Sequence, residues 1–376
     1  MKLNLFTTNS CNFKCTYCYE KEKNSFRMTK ETARKIVDFF WDKITDGLLN
    51  INFHGGEPLL EFGLIEDLVL YTNHKFKENE QRFKVEYSMT TNGALLSKHI
   101  AEFLKKYNFD VRLSLDGTQE AHDLHRKTNS NKGTHYKVMD GLSKLDESGV
   151  DYTVRMTVTP ENVDYLVDSI IWMIGEGLTK INIVADVFAD WNKKFHLLED
   201  SFRSIQQLYL QVKEFKHISI NIFDGKYSSY MVDSHPLFCN AGFGTFAVST
   251  VGSIYPCVYV VDQEDFCIGS IDTGISPAKR KHCIQGCLKR EDRCGGCNIQ
   301  GFCHARKCGF LNQSTTGYLD LPNPFLCKHE QLLYDIVGDT FGQLADKGDP
   351  KIIWMLNKLK TLPEYKANKE VEKYLV

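Results

Sequence analysis

The sequence lacks the features that would place this protein in or across a membrane. No apolar run approaches the roughly 20 residues that a transmembrane helix needs, and the stretch from Met1 to Thr8 becomes polar too early for a signal peptide. The formal net charge is only −2 over 376 residues, so there is no charge excess to attract nucleic acid or an anionic membrane. We therefore expect a cytoplasmic protein with neither nucleic acid nor membrane as a partner.

Cysteine is absent from a long internal stretch, residues 19–238, although the chain contains 13 cysteines. Three lie between Cys11 and Cys18, and the others lie between Cys239 and Cys327. Disulfides are rare in the reducing cytosol, and an odd number excludes a fully paired framework. Two separate groups of thiols in such a chain indicate metal sites.

The first half of the chain alternates β-rich runs with helical patterns. Strands are predicted at Lys2–Thr8, Leu49–His54, Lys84–Met89, Asp110–Leu115, Asp151–Val158 and Lys180–Val184, and helices at Thr32–Ile44, Ser97–Tyr107 and Val163–Gly175. Six strands that alternate with helices predict a parallel sheet with right-handed crossovers. They are too few for a closed eight-unit barrel, so the expected fold class is α/β with a partial (β/α)6 barrel.

Changes in composition divide the chain into four predicted regions. The partial barrel is assigned to residues 1–190, a helical bridge around Leu197–Phe215 to 191–235, a cysteine-rich domain to 236–330 and C-terminal helices to 331–376. In the third region apolar periodicity gives way to Gly, Cys and charge, as expected where metal replaces a hydrophobic core.

The first cysteine group, Cys11, Cys15 and Cys18, forms CxxxCxxC directly after the first predicted strand. In parallel α/β folds the chemistry lies on such loops, at the C-terminal ends of strands. Three thiolates can bind a [4Fe–4S] cluster and leave its fourth iron open to a small molecule. A zinc site or ordinary buried cysteines are the alternatives when the triad is considered alone.

Two motifs in this half resemble the radical S-adenosylmethionine (SAM) enzymes. CNFKCTYC, with Tyr17 before the last cysteine, resembles the family's cluster signature, and the sequence His-Gly-Gly-Glu-Pro at 54–58 resembles its GGEP motif. The resemblance implies that Gly55, Gly56 and Glu57 hold the amino group of SAM, because carbonyls and a carboxylate can bind an ammonium.

Further positions extend the same resemblance. Ser114 and Arg126 match residues that bind the SAM carboxylate in similar enzymes, a task that suits the planar guanidinium fork. Asn92 matches a cofactor contact, although Asn-Gly is also a common turn. The implied reaction is reductive cleavage of SAM to a 5′-deoxyadenosyl radical, which abstracts a hydrogen atom from the substrate.

The second cysteine group resembles a SPASM domain, which occurs in radical SAM enzymes that modify peptides and proteins. One departure is the four residues between Cys303 and Cys308, where the pattern has three. The resemblance implies two auxiliary [4Fe–4S] clusters, an outer one on Cys294, Cys297, Cys303 and Cys327, and an inner one on Cys239, Cys257 and Cys308. A zinc ribbon is the alternative.

Three cysteines, Cys267, Cys283 and Cys287, lie outside that pattern, and we interpret them as thiols without a metal. The inner set has only three matched ligands. Either Cys267 completes it, or one iron is open to a substrate group.

The resemblance favours a maturase that forms thioether or carbon–carbon crosslinks in a ribosomally made peptide. The implied partners are that peptide and a reductase such as flavodoxin or ferredoxin. Since the first strand begins at Lys2, leader recognition would need a separate leader-recognition protein or another surface of this chain. Anaerobic sulfatase-maturating enzymes, which form formylglycine, are the alternative. They carry an Asp base directly after the Tyr-Pro-Cys cysteine, whereas this chain has Val258, with Asp262 four residues on. A zinc-stabilised binding protein is the rival from another class.

Overall fold

The structure is a computed structural model that describes residues 1–20, 23–44, 47–78, 83–212, 217–232, 239–288 and 292–361. By contacts the chain divides into two compact units. The first consists of Met1–Arg155 and Cys239–Gly286, and the second of Met156–Phe238 and Cys287–Val376. These units are divided differently from the four predicted regions, whose boundaries remain predictions.

Strands alternate with helices through the first part of the chain. The strands are β1 (Lys2–Thr8), β2 (Leu48–Gly55), β3 (Lys84–Thr91), β4 (Asp110–Ser114), β5 (Tyr152–Val158), β6 (Lys180–Ala185), β7 (Ser219–Ile220), β8 (Thr245–Val248), β9 (Ser253–Tyr255), β10 (Gly269–Ser270) and β11 (Gly274–Ile275). All six predicted strands are confirmed as β1 to β6, with bounds that shift by at most two residues. Their apolar residues fill the core because both faces of a parallel sheet are covered.

Helices account for most of the remaining structure. They are α1 (Lys30–Trp41), α2 (Phe62–Glu78), α3 (Lys98–Lys106), α4 (Gln119–His125), α5 (His135–Glu147), α6 (Leu166–Gly175), α7 (Phe195–Gln211), α8 (Tyr227–Met231), α9 (Pro277–Leu288), α10 (Asp292–Gly295), α11 (His304–Lys307), α12 (Gly309–Thr316), α13 (Pro324–Asp346) and α14 (Pro350–Lys360). The predicted cap Ser97 is confirmed, since its side chain accepts a hydrogen bond from the N–H of Ile100.

The sheet of the first unit is built outward from β1. β1 pairs in parallel with β2 on one side and with β8 on the other. β2, β3, β4 and β5 follow in order, all parallel, whereas β8, β9, β10 and β11 are joined by antiparallel pairings. The C-terminal ends of β1 to β4 therefore lie at one edge, where the predicted site residues follow them in sequence.

The second unit is mainly helical. β6 and β7 pair in parallel, and the buried Gln206 of α7 donates hydrogen bonds to the carbonyl of Ile336 and the hydroxyl of Thr340 on α13. The predicted bridge helix begins at Phe195 and ends at Gln211, and its predicted end at Phe215 lies outside the described residues. The predicted C-terminal helices are confirmed by α13 and α14, while residues 362–376 lie outside the described part. Among the described helices, none is both long and apolar enough to cross a bilayer.

Candidate active site

The loop after β1 carries the cysteine triad at the C-terminal edge of the sheet. Cys11, Cys15 and Cys18 are each partly buried, and none of them is disulfide-bonded. The N–H of Phe13 donates to the sulfur of Cys11 at 3.4 Å, and the N–H of Cys18 donates to the carbonyl of Cys15 at 3.2 Å. This segment, Cys11–Cys18, is called the triad loop below.

The thiols of the triad loop lie in a desolvated and mutually repulsive environment. Burial raises the pKa of Cys11 to about 12, against the opposing N–H of Phe13. Burial also raises the pKa of Cys15, where Arg126 opposes it and the charges of Asp116 and Cys18 add to it. Such thiols stay protonated until a metal binds, and coordination then deprotonates them.

The triad loop offers three thiols, the ligand type that [4Fe–4S] clusters use. In the described residues, no group of three or more His, Cys, Asp or Glu side chains converges closely enough to hold one metal ion.

Two glycines at the end of β2 lie against the backbone that leads into the triad loop. A Cβ at Gly55 would lie 2.2 Å from the carbonyl oxygen of Thr8, and one at Gly56 would lie 2.1 Å from that of Ser10. The N–H of Gly56 donates to Thr8 and that of Glu57 to Ser10, both at 2.9 Å. The sequence predicted close approach to a ligand at these glycines, and the structure adds a close approach to the backbone that leads into the triad loop.

The carboxylate of Glu57 is almost fully buried, with 1% of its surface exposed. It accepts hydrogen bonds from the N–H of Leu59 (3.0 Å), the hydroxyl of Thr91 (2.7 Å) and the N–H of Asn92 (2.7 Å). Burial raises its pKa in spite of these donors. Glu57 therefore fixes the end of β3 against the end of β2, and its predicted contact with the SAM amino group stays a prediction.

Asn92 connects the end of β3 to the triad loop. Its side-chain N–H group donates to the side chain of Asn12 at 2.7 Å and lies 3.9 Å from the sulfur of Cys11. Its side-chain oxygen accepts from the N–H of Ala94 at 3.1 Å, as in an Asn-Gly turn. The Asn-Gly turn is thus present, and the predicted contact of Asn92 with SAM stays a prediction.

Arg126 and Asp116 form a buried bidentate ion pair that the sequence did not predict. The guanidinium donates to both carboxylate oxygens, at 2.8 and 3.1 Å, and the hydroxyl of Tyr17 donates to the same carboxylate. Burial disfavours the charged guanidinium, but Asp116 more than compensates and raises the pKa of Arg126. Asp116 follows β4 two residues after Ser114, which is also buried. The predicted role of Ser114 and Arg126 in binding the SAM carboxylate stays a prediction.

The segment after α4 gives the triad loop a further support. The side chain of Thr16 hydrogen-bonds to the ring of His125 at 2.5 Å, and the N–H of Thr16 donates to the carbonyl of the same residue at 3.2 Å. The N–H of Lys14 donates to the carbonyl of Lys127 at 2.7 Å. The ends of β2, β3 and β4, which carry the residues predicted to contact SAM, thus lie around the triad loop.

A polar cluster missed by the sequence reasoning lies beside the last cysteine of the triad. The hydroxyl of Tyr19 is 3.3 Å from the ring of His54, whose other nitrogen is 3.6 Å from the carboxylate of Glu20. Burial lowers the pKa of His54, with Glu20 opposing the shift. The ring of Tyr259 packs on Tyr19 at 5.3 Å between centroids. The sequence feature that could have indicated this cluster is the position of His54, directly before the two glycines.

Val258 and Asp262, which follow Cys257, lie in different environments. Val258 packs with Phe6 and Tyr255 in an apolar cluster. Asp262 has a left-handed backbone with φ of 64°, and its carboxylate accepts from the side chain of Asn9 at 3.5 Å. Burial raises the pKa of Asp262. The carboxylate of Asp262, five residues after Cys257, therefore lies within reach of Asn9, two residues before the triad loop.

The predicted inner-cluster cysteines fall in both units. Cys239 is exposed and Cys257 is partly buried in the first unit, whereas Cys308 belongs to the second. Cys267 packs in the apolar cluster of Val258, and its thiol donates to the carbonyl of Gly269 at 3.4 Å. Cys283 is buried on α9. The metal ligands among these cysteines remain predictions.

The predicted outer-cluster cysteines all lie in the second unit. Cys297 and Cys303 pack in one apolar cluster with Leu326, the residue before Cys327. Burial raises the pKa of Cys303 to about 12, and the charges of Glu330 and Cys327 add to the increase. Cys294 begins the same segment on α10, and Cys287 packs against Gly309. The structure thus brings three members of the outer set, Cys297, Cys303 and Cys327, into one neighbourhood.

Comparison with known protein families matches residues 5–173 to the radical SAM superfamily. An uncharacterized protein of Methanocaldococcus jannaschii is 29% identical over 293 residues, which cover 76% of this chain and 94% of that protein. A cysteine-type anaerobic sulfatase-maturating enzyme of Clostridium novyi is 28% identical, covering 79% of this chain and 85% of the enzyme. The radical SAM cyclopropyl synthase TigE of Paramaledivibacter caminithermalis is 28% identical, and this alignment covers 68% of the chain but only 57% of TigE.

Solved structures confirm the predicted fold class. Native anSMEcpe with bound AdoMet and Cp18Cys peptide superposes with a TM-score of 0.77 at 21% identity, covering 95% of this chain and 98% of that one. Streptococcus suis SuiB bound to its precursor peptide SuiA gives a TM-score of 0.62 at 16% identity, covering 87% and 75%. The fold is a partial (β/α)6 barrel followed by a cysteine-rich SPASM region and C-terminal helices.

Proposed function

We propose that this chain, whose residues 5–173 match the radical SAM superfamily, is a maturase that crosslinks a ribosomally made peptide through a thioether or carbon–carbon bond. The observation that carries this choice is the apolar surrounding of Val258 beside Phe6 and Tyr255. A general base must lie within hydrogen-bond reach of its proton, and Val258 supplies none where sulfatase-maturating enzymes use a carboxylate. The likeness to SuiB, which was solved with its precursor peptide, supports a peptide substrate.

The proposed cofactors are SAM and three [4Fe–4S] clusters. Cys11, Cys15 and Cys18 hold the catalytic cluster, and the outer and inner auxiliary clusters use the ligand sets given above. When bound, SAM would supply, after cleavage by one electron, the radical that removes a hydrogen atom from the substrate. The residues proposed to contact SAM are Tyr17, Gly55, Gly56, Glu57, Asn92, Ser114 and Arg126.

The protein's own contribution is to position and shield the cofactor. Glu57, Asn92 and Arg126 are buried. Glu57 connects the ends of β2 and β3, and Asn92 hydrogen-bonds to the triad loop. Arg126 holds Asp116, which accepts a hydrogen bond from Tyr17 of that loop. A rigid cradle holds the reacting groups at a fixed separation and keeps water away. Residues 1–190 supply this cradle, and 236–330 supply the auxiliary ligands. A flavodoxin or ferredoxin provides the electron.

Anaerobic reconstitution tests the proposal. We expect about twelve iron atoms per chain, four for each of three clusters, and 5′-deoxyadenosine production that rises when a cysteine-containing substrate peptide is added. Mass spectrometry should show a crosslinked peptide that has lost hydrogen and retained its sulfur. Stoichiometric zinc without sulfide would instead identify the zinc-stabilised binding protein.

Sulfatase maturation is the second candidate, and Asp262 is the observation that favours it. Its carboxylate accepts a hydrogen bond from Asn9, two residues before the triad loop, and desolvation raises its pKa, as suits a proton acceptor. The two products differ chemically, since formylglycine is an aldehyde that reacts with hydrazide probes and a thioether is not. Hydrazide labelling of a sulfatase peptide, abolished by Asp262→Asn, would overturn the crosslinking proposal.

A further inference from the structure

The helix α9 carries a concentration of positive charge on the surface of the first unit, to which its residues 277–286 belong. Its sequence, PAKRKHCIQGCL, contains no acidic residue. Lys279, Lys281 and His282 are exposed, and Arg280 is partly exposed. Within the part of the chain that the structure describes, neither lysine nor Arg280 has an ion-pair partner. A chain whose net charge is −2 therefore presents one local cluster of unpaired cations here.

An exposed aromatic ring extends this cluster. The side chain of Phe243 is 53% exposed, and the guanidinium of Arg280 lies 5.5 Å from the centroid of its ring. Arginine and large aromatic side chains are enriched where proteins bind one another, and grouped cations attract an acidic partner. The surface formed by Phe243 and residues 279–282 is called the basic patch below.

The buried side of the same helix lies against the segments that carry two predicted inner-cluster ligands. Gly242 follows Cys239 by three residues, and Pro256 directly precedes Cys257. A Cβ at Gly242 would lie 3.3 Å from the Cβ of Pro256 and 3.5 Å from the Cδ1 of Ile284 on α9. Ile284 is buried. The basic patch is therefore the outer surface of a helix whose inner surface contacts the chain beside both cysteines.

We propose that the basic patch is the docking surface of an acidic one-electron carrier, a flavodoxin or ferredoxin, beside the inner auxiliary cluster. The inference rests on the proposed function, because it takes Cys239 and Cys257 as cluster ligands and a protein as the electron donor. The carrier loses one electron and the enzyme gains it, and no bond forms or breaks. Electron-transfer complexes are weak and have small interfaces, and opposite charges raise their association rates. A small patch of cations around one aromatic ring suits such a partner.

Two reductants for the same reaction test this proposal. 5′-Deoxyadenosine formation is measured anaerobically in the full-length holoenzyme, once with reduced flavodoxin and once with dithionite, which needs no docking surface. The main variant is Lys279→Glu/Lys281→Glu. We expect its half-maximal rate to require about tenfold more flavodoxin at low salt, because electrostatic steering changes association rates by at least that factor. Its rate with dithionite should equal that of the wild type.

Lys98→Glu/Lys106→Glu on α3 is the matched control. Both lysines are exposed on a helix of the same unit, and both double variants change the net charge equally, so general repulsion of an acidic carrier is the same. We expect the control to need far less flavodoxin than the main variant. Added salt should reduce the difference between the two, because it screens exposed charges.

Carbodiimide crosslinking gives a readout that does not depend on activity. The reagent joins a lysine amine directly to a carboxylate, so mass spectrometry of the wild-type protein joined to flavodoxin should identify Lys279 or Lys281. Flavodoxin joined only to lysines outside the basic patch would overturn the inference.

The remaining outcomes separate this inference from the proposed function. Equal flavodoxin dependence in the main variant and the control overturns the inference alone. Equal losses with flavodoxin and with dithionite also overturn it, since they indicate damage to a cluster. A main variant that requires more substrate peptide in dithionite assigns the basic patch to the peptide instead. A wild-type protein that forms no 5′-deoxyadenosine with either reductant contradicts the proposed function, and the inference fails with it.

Discussion

The triad loop of the first unit and the outer-cysteine segment of the second unit, residues 294–308, are both short loops that carry thiols. The triad loop is joined by backbone hydrogen bonds to His125 and Lys127 and by Asn92 to the end of β3, and the residues that lead into it are bonded to Gly56 and Glu57. The outer segment contains α11, which is four residues long, and the end of α10. Apart from a bound metal, it is supported by an apolar cluster of four buried residues, among them Cys303 itself, and by the hydrogen bond from the N–H of His304 to Glu330.

This difference indicates two ways of holding a metal cluster. A site that must bind and release SAM needs a preorganised cradle, and hydrogen bonds from several strand ends provide one. A cluster with four protein ligands can order its own surroundings, because metal binding and folding are coupled. We expect the first region to keep its shape without metal and the second to depend on it.

The largest effect is expected from the triad itself. The Cys11→Ala/Cys15→Ala/Cys18→Ala protein should lose SAM cleavage completely and keep about eight iron atoms per chain, the content of two clusters. Iron analysis and assay of 5′-deoxyadenosine measure the two results. Residual 5′-deoxyadenosine above the level without enzyme would show that another site cleaves SAM.

Iron removal should separate the two regions next. In chelator-treated protein, limited proteolysis followed by mass spectrometry is expected to cut within residues 294–308 first, since the loss of metal removes its main support. The strands β1 to β4 should stay protected. Equal rates of cleavage at both regions would contradict the comparison.

Gly56→Ala should damage the triad loop while leaving the second unit intact. The added Cβ would lie 2.1 Å from the carbonyl oxygen of Ser10, and such overpacking costs about 1–3 kcal/mol. We expect lower occupancy of the catalytic cluster, measured by its electron paramagnetic resonance signal with SAM. Gly63→Ala is the matched control, because nothing lies within 4 Å of its Cβ position. A full signal in Gly56→Ala would show that the triad loop does not depend on the close approach of Gly56 to Ser10.

Arg126→Lys should have the smallest of these effects. A lysine ammonium does not reproduce the two parallel hydrogen bonds at 2.8 and 3.1 Å to Asp116. We expect SAM to bind about tenfold more weakly, ~1.4 kcal/mol, by equilibrium titration. Arg203→Lys, in an exposed ion pair, should leave the affinity unchanged. An unaltered affinity in Arg126→Lys together with a lower unfolding temperature would make Arg126 a structural residue.

The sequence predicted the six strands because their apolar runs are long and are separated by clear helical patterns. The short strands β8 to β11 were missed, since two to four residues among glycines and polar residues give no periodic signal. The helix α9 was missed for a related reason. Its sequence is basic at the start and has no clear apolar face, although it buries Cys283, Ile284 and Cys287.

Sequence motifs predicted the site residues, but they did not predict the contacts that these residues make with one another and with the neighbouring backbone. Arg126 was assigned from its position, whereas Asp116, which binds it, stands in a Leu-Asp-Gly sequence that resembles an ordinary strand exit. The contacts of Gly55 and Gly56 with Thr8 and Ser10 depend on the pairing of β1 with β2. Pairing between distant segments is a tertiary property, so local sequence patterns do not specify it.

The parallel pairing of β1 with β8 also governs how the chain folds. The side chain of Asn4 donates to the carbonyl of Phe246 across a separation of 242 residues, and four residues of β1 are in register with β8. Contacts between such distant segments form slowly, because a very long loop must close first. During synthesis, β8 emerges only after more than half of the chain has been made. Until then, the edge of β1 that pairs with β8 stays open. Open edges invite pairing with other chains, so aggregation before the synthesis of β8 is the main hazard in producing this protein.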